Sequence, residues 1–115
     1  MATMGSKTRQ QQIFSELLVA DNLWTRMKGL LGTKSIGESQ VMWIHRCSSI
    51  HTFFMNYAID CVFVNRDLKV ISIVENVVPG RIVFPQLGAS SVFEMKAGKA
   101  SEKGFYQGEE LYVDC

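Results

Sequence analysis

The sequence predicts an all-β domain, mainly antiparallel, built as a small closed barrel or a two-sheet sandwich with one short N-terminal α-helix. Three observations predict it. Seven or so short runs rich in β-branched and aromatic residues recur between Val41 and Val113, separated by turn residues. One stretch with helical spacing occurs, near residues 21–32. No helix-length segment lies between the later strands, so they lack the crossovers that parallel pairing needs.

The elements are read in order. Residues 1–12 (MATMGSKTRQQQ) are polar and read as a flexible leader, with one β-rich domain expected over 13–115. Ile13 to Val19 is compatible with a first strand. Asp21 or Asn22 is suited to cap a helix, because a short side-chain oxygen accepts from the free amides of a first turn. Leu23, Trp24, Met27, Leu30 and Leu31 then form one apolar helical face. Gly29 or Gly32 ends it, since either accepts the left-handed conformation. Val41 to Ile44 and Ile50 to Met55 (IHTFFM) read as strands. Asp60 to Val64 and Leu68 to Val74 flank Asn65-Arg66-Asp67 and read as a hairpin. Pro79-Gly80 breaks the chain before Arg81 to Phe84. Ser91 to Met95 is a further strand. Lys99 to Lys103 reads as one helical turn ended by Gly104, and Glu110 to Val113 as the last strand.

Composition bounds the function. The 115 residues carry 12 basic and 11 acidic side chains, a net charge of +1. So balanced a chain has no general electrostatic attraction to nucleic acid or anionic lipid. No run approaches the ~20 apolar residues that span a bilayer. The three cysteines, Cys47, Cys61 and Cys115, form no CxxC pair and fit reduced thiols. A cytoplasmic monomer without cofactor, nucleic-acid or membrane partner is the expectation.

One constellation is suited to chemistry. If residues 50–55 form one strand, His51, Phe53 and Met55 share a face. A buried imidazole needs a hydrogen-bond partner, and Asp60 and Arg81 are the natural candidates. Glu94 joins as an acceptor at the rim of such a pocket, facing Arg26 or Arg81, or else as a solvated carboxylate paired with Lys96. The expected site is therefore His51, Met55, Asp60 and Arg81, with Glu94 and Arg26 around it. The competing reading is a network that only fixes strand register.

Other chemistries are weaker. His45, Cys47, His51 and Met55 are soft metal ligands, but Cys47 and His51 lie about 13 Å apart along an extended strand, so no native metal is expected. Cys47 with His51, or Ser48 or Ser49 with His51 and Asp60, can be written as a triad, yet no nucleophile-elbow pattern accompanies them. Trp24, Trp43, Phe53, Phe54, Phe63 and Phe93 are expected mainly in the core, although an exposed aromatic pair would suit stacking on a sugar or base.

The pieces Arg26-Met-Lys-Gly-Leu-Leu-Gly32, Cys47-Ser-Ser-Ile-His-Thr-Phe-Phe-Met55, Asp60, Pro79-Gly-Arg81, Phe93-Glu-Met-Lys-Ala-Gly98 and Gly108-Glu109 together resemble domain-of-unknown-function family 192. This is a group of small β-rich bacterial and archaeal proteins, and the likeness runs from about Leu17 to Val113. The IHTFFM segment with its downstream aspartate is its most specific part. The resemblance implies a compact barrel or sandwich with one short helix near the start, and it implies no established activity. Some members carry export signals, and none is read here. Ala58 stands where a proline is common, and Glu109 where an aspartate is usual.

The functional expectation is a noncatalytic binding module whose His/Asp/Arg pocket takes a small polar or anionic ligand or a protein segment. The alternative is an enzyme with His51 as general acid and base, Asp60 orienting it and Arg81 holding substrate charge.

Overall fold

The computed structural model describes residues 2–20 and 36–115. Among the described residues ten strands form: β1 (Thr3–Ser6), β2 (Gln11–Phe14), β3 (Glu16–Ala20), β4 (Gln40–His45), β5 (Ile50–His51), β6 (Ile59–Val64), β7 (Val70–Val77), β8 (Ile82–Val83), β9 (Ser91–Lys96) and β10 (Leu111–Asp114). A one-turn helix spans Lys99–Glu102. The helix expected over residues 21–32, and Arg26 with it, lies outside the described residues.

The centre is a five-stranded sheet in the order β3-β4-β9-β6-β7. β4, β9, β6 and β7 pair antiparallel, and β3 pairs parallel to β4. That parallel pair is joined by residues 21–39, a connection long enough for a crossover. A three-stranded sheet, β10-β1-β2, packs on one side and a two-stranded ribbon, β5-β8, on the other. Among the described residues the sheets stay open, so the architecture is sandwich-like and no barrel closes.

Side-chain alternation sorts the core into two layers. Val41, Val62, Val64, Phe93 and Met95 project from the central sheet towards Met4, Phe14 and Leu111 of the three-stranded sheet. Met42, Ile44, Cys61, Phe63 and Val92 project the other way, towards Cys47, Ile50 and Val83 beneath the ribbon. We call these the closed face and the ribbon face.

Three elements differ from the sequence reading. The expected leader contains β1 and the start of β2, with Met4 fully buried, because β1 obtains its hydrogen bonds from β10 at the far end of the chain. The expected strand Ile13 to Val19 divides at Ser15 into strands of two different sheets, since Phe14 and Leu17 are both buried and lie three residues apart. The expected strand Ile50 to Met55 ends at His51. Phe54 takes a left-handed φ of 67°, and the Met55 amide donates back to the Thr52 carbonyl at 3.2 Å. The β6–β7 hairpin forms as read. Asn65 Oδ1 accepts from the amides of Asp67 (2.9 Å) and Lys69 (3.0 Å), which is why a polar Asn-Arg-Asp turn suits that position.

Candidate functional site

Asp60 decides how the expected constellation is arranged. In register, Asp60 pairs with Met95 and Cys61 with Glu94, so Asp60 points to the closed face and Glu94 to the ribbon face. Both side chains are completely buried. The Asp60 carboxylate accepts three backbone amides: Asn76 at 2.8 Å, Gly98 at 2.9 Å and Ala100 at 2.9 Å. It thereby satisfies the free amides at the start of the Lys99–Glu102 turn and pins the bulge at Asn76. Gly98 sits there at φ 96°, a conformation that favours glycine.

His51 stands on the other side of the central sheet. It lies in β5, directly opposite Ile82 of β8, and its ring stacks on Phe53 at 5.0 Å between centroids. The expected partnership of His51 with Asp60 is therefore not made, because the pleat of β6 sends that carboxylate to the opposite face. Met55 packs against the ribbon-face cluster with Tyr57. Glu94 is buried on that same face, in register with Met42 and Cys61, so the expected solvated carboxylate beside Lys96 is not found. Lys96 pairs instead with Glu38 at 3.1 Å.

Arg81 is tied to this region through its backbone. Its amide donates to Thr52 Oγ1 at 2.9 Å, and its carbonyl accepts from the Thr52 amide at 2.9 Å. Thr52 Oγ1 donates to the Val78 carbonyl at 2.6 Å. One buried threonine thus clamps both ends of the Pro79-Gly80 turn. The Arg81 side chain remains exposed and makes no ion pair among the described residues. The structure therefore gathers His51, Met55, Glu94 and Arg81 on the ribbon side and separates Asp60 from them.

The soft side chains weighed as metal ligands, His45, Cys47, His51 and Met55, divide as well. Trp43 packs with the closed-face cluster, and His45 shares its side of β4, while Cys47 packs with the ribbon-face cluster. Among the described residues no three His, Cys, Asp or Glu side chains converge.

The sequence reading missed the exposed apolar surface around the ribbon. Phe54 is 77% exposed, Phe84 76% and Leu87 97%, and Phe53, Val78 and Ile82 are exposed beside them. Phe53 and Phe54 were expected in the core. They reach solvent because the chain turns at Phe54 instead of continuing as a strand. Phe53 stacks on His51, His51 lies opposite Ile82, and Phe84 follows just beyond the end of β8. The available signal was the density of apolar residues around Pro79 and Pro85.

These features define a small sandwich-like β domain with exposed apolar side chains on one side. The chain belongs to family DUF192 (Uncharacterized ACR), whose model matches residues 4–113. No curated protein matches the sequence. Two solved structures share the fold. A transcription-regulator candidate from Sinorhizobium meliloti 1021 is 18% identical with a TM-score of 0.82, over 97% of this chain and 92% of its own. A protein of unknown function from Novosphingobium aromaticivorans DSM 12444 is 21% identical with a TM-score of 0.80, over 96% and 83%.

Proposed function

We propose that this chain is a noncatalytic binding module that takes a protein segment on the ribbon face. The observation that carries the reading is the run of exposed large apolar side chains, Phe53, Phe54, Ile82 and Phe84, grouped around His51. Water contact with so much aliphatic and aromatic surface is unfavourable, and contiguous patches of this kind mark interaction surfaces. Arg81, exposed and without an ion pair among the described residues, adds a single positive charge beside the patch. The complementary partner is a short segment with apolar side chains and a carboxylate, held bidentately by the guanidinium. Two large aromatic side chains at the centre of such a patch supply most of the affinity.

The reading excludes Asp60 from the site, since its carboxylate is committed to three backbone amides. The enzyme alternative loses the orienting carboxylate it requires for the same reason. A net charge of +1 gives no support to a nucleic-acid partner.

The test is selection of a random dodecapeptide library displayed on phage against the folded protein. The reading expects enriched peptides that combine aromatic or aliphatic residues with Asp or Glu. Their affinity should fall at least about tenfold, or ~1.4 kcal/mol, in Phe84→Ser and in Arg81→Gln. Enriched peptides that bind both variants as tightly as the wild type would defeat it.

A further inference from the structure

A recess lies at one end of the central sheet. The end of β4, the start of β9 and the end of β6 meet there, with His45 opposite Ser91 and Val64 opposite Ser91 in register. The recess is shallow and open to solvent, with a volume of about 330 Å³. Trp43 and Ser91 line its wall, Leu68 adds an apolar edge, and Arg46 and Arg66 stand at its border.

Its parts are fixed in place. The Trp43 indole Nε1–H donates to Ser91 Oγ at 2.9 Å, and the ring stacks on Phe93 at 5.6 Å, so the indole cannot swing away without losing both. The His45 ring meets Trp43 edge-on at 4.1 Å. Arg46 and Leu68 both hold left-handed φ values, 51° and 61°. Such conformations are unfavourable for residues with a Cβ and tend to persist where a site requires them. The Leu68 amide is held by the Asn65 carbonyl at 3.0 Å, which presents the Arg66 tip towards the recess border.

The charge is one-sided. Two arginines line the recess and no carboxylate does. Neither guanidinium makes an ion pair among the described residues. Two unpaired guanidinium forks beside a fixed indole match one ligand chemistry: an oxyanion attached to a flat apolar group. Each fork donates a pair of N–H bonds to phosphate oxygens. The indole and Leu68 cover the ring, and the Ser90 and Ser91 hydroxyl groups add short polar contacts at the base.

We propose that this recess binds an aromatic phosphate monoester of mononucleotide size, with Arg46 and Arg66 holding the phosphate and Trp43 the ring. The site is separate from the ribbon face, and it stands or falls independently of the peptide reading.

The experiment is a titration of ¹⁵N-labelled full chain with adenosine 5′-monophosphate, with adenosine and inorganic phosphate in parallel. The Trp43 indole signal is assigned by its loss in Trp43→Phe. Saturable movement of that signal with the monophosphate is expected, with binding at least about tenfold weaker for adenosine and for inorganic phosphate alone. Arg66→Gln, on an exposed turn, is expected to weaken binding about tenfold and to leave the rest of the spectrum in place. Arg46→Gln is expected to do the same, and if it fails to fold, Arg66→Gln carries the test alone. No saturable shift at Trp43 would overturn the proposal. So would unchanged affinity in Arg66→Gln, or inorganic phosphate binding as tightly as the monophosphate.

Discussion

Asp60 and Glu94 are two buried carboxylates on neighbouring strands, and they face opposite sides of the same sheet. On the closed face, Asp60 is fully accounted for by three backbone amides, and the layer above it is sealed by Met4, Phe14, Phe105 and Leu111. Glu94 points to the ribbon face, in register with Met42 and Cys61, on the side that carries a two-stranded ribbon of two residues per strand with exposed aromatic side chains beside it. The difference teaches that residue type alone does not assign a role here. The pleat of one strand sends one acid to hold the fold and the other to the side that carries the exposed surface.

Substitutions that separate the two faces sharpen this contrast. The largest effect is expected from Asp60→Ala. It leaves the buried Ala100 amide and the part-buried amides of Asn76 and Gly98 without their acceptor, and unfolding in urea should show a loss of about 2–4 kcal/mol. A loss below ~1 kcal/mol would mean that the closed face does not depend on this carboxylate. Next comes Gly5→Ala, also on the closed side. A Cβ there meets the Gln11 carbonyl oxygen and the Tyr112 ring at sub-van der Waals distance. Overpacking of this kind is expected to cost about 1–3 kcal/mol, read as a lowered melting temperature.

The ribbon face should behave in the opposite way. Phe54→Ser with Phe84→Ser removes exposed rings, and stability is expected to stay within about 0.5 kcal/mol of the wild type. A cooperative loss well beyond that would show that these rings hold the fold and would blur the distinction between the faces.

The smallest effect belongs to the surface. Glu38 pairs with Lys96 at 3.1 Å and Lys99 at 3.2 Å, and the Lys96 contact first, then Lys99, holds its carboxyl below the usual glutamate range. Hydrogen bonding to Glu102, opposed in part by desolvation and reinforced by Glu38, raises the Lys99 ammonium above the usual lysine range. The Glu38 contribution is therefore present above the ordinary carboxylate pKa and fades as pH falls through its lowered value. The Lys99 contribution is present below the ordinary lysine pKa and fades as pH rises through its raised value. Glu38→Gln should produce only a slight fall in melting temperature at neutral pH, and that fall should vanish in high salt.

Much of the fold was legible from local pattern. β4, β6, β9 and the Asn65-Arg66-Asp67 turn follow from alternation and turn chemistry, which act within a few residues. β1 was not legible. Thr3-Met-Gly-Ser6 carries no strong strand preference, and it becomes a strand only because β10 supplies a partner from the other end of the chain. The site was half legible. His51, Met55, Arg81 and Glu94 do share one side of the molecule, whereas the His51–Asp60 pairing required knowing which way each strand's pleat faces. Sequence spacing gives the alternation and leaves its direction to the topology. The exposed rings of Phe53 and Phe54 were misread because a left-handed turn at a phenylalanine is rare enough that a continuous strand is the natural expectation.

The most direct measurement is a map of backbone amide shifts on adding a display-selected peptide to the wild-type chain. The account predicts that the largest changes fall at His51, Phe53, Phe54, Ile82 and Phe84, with Asn76, Gly98 and Ala100 around Asp60 left unmoved. Changes concentrated on the Asp60 side, with the ribbon silent, would contradict it.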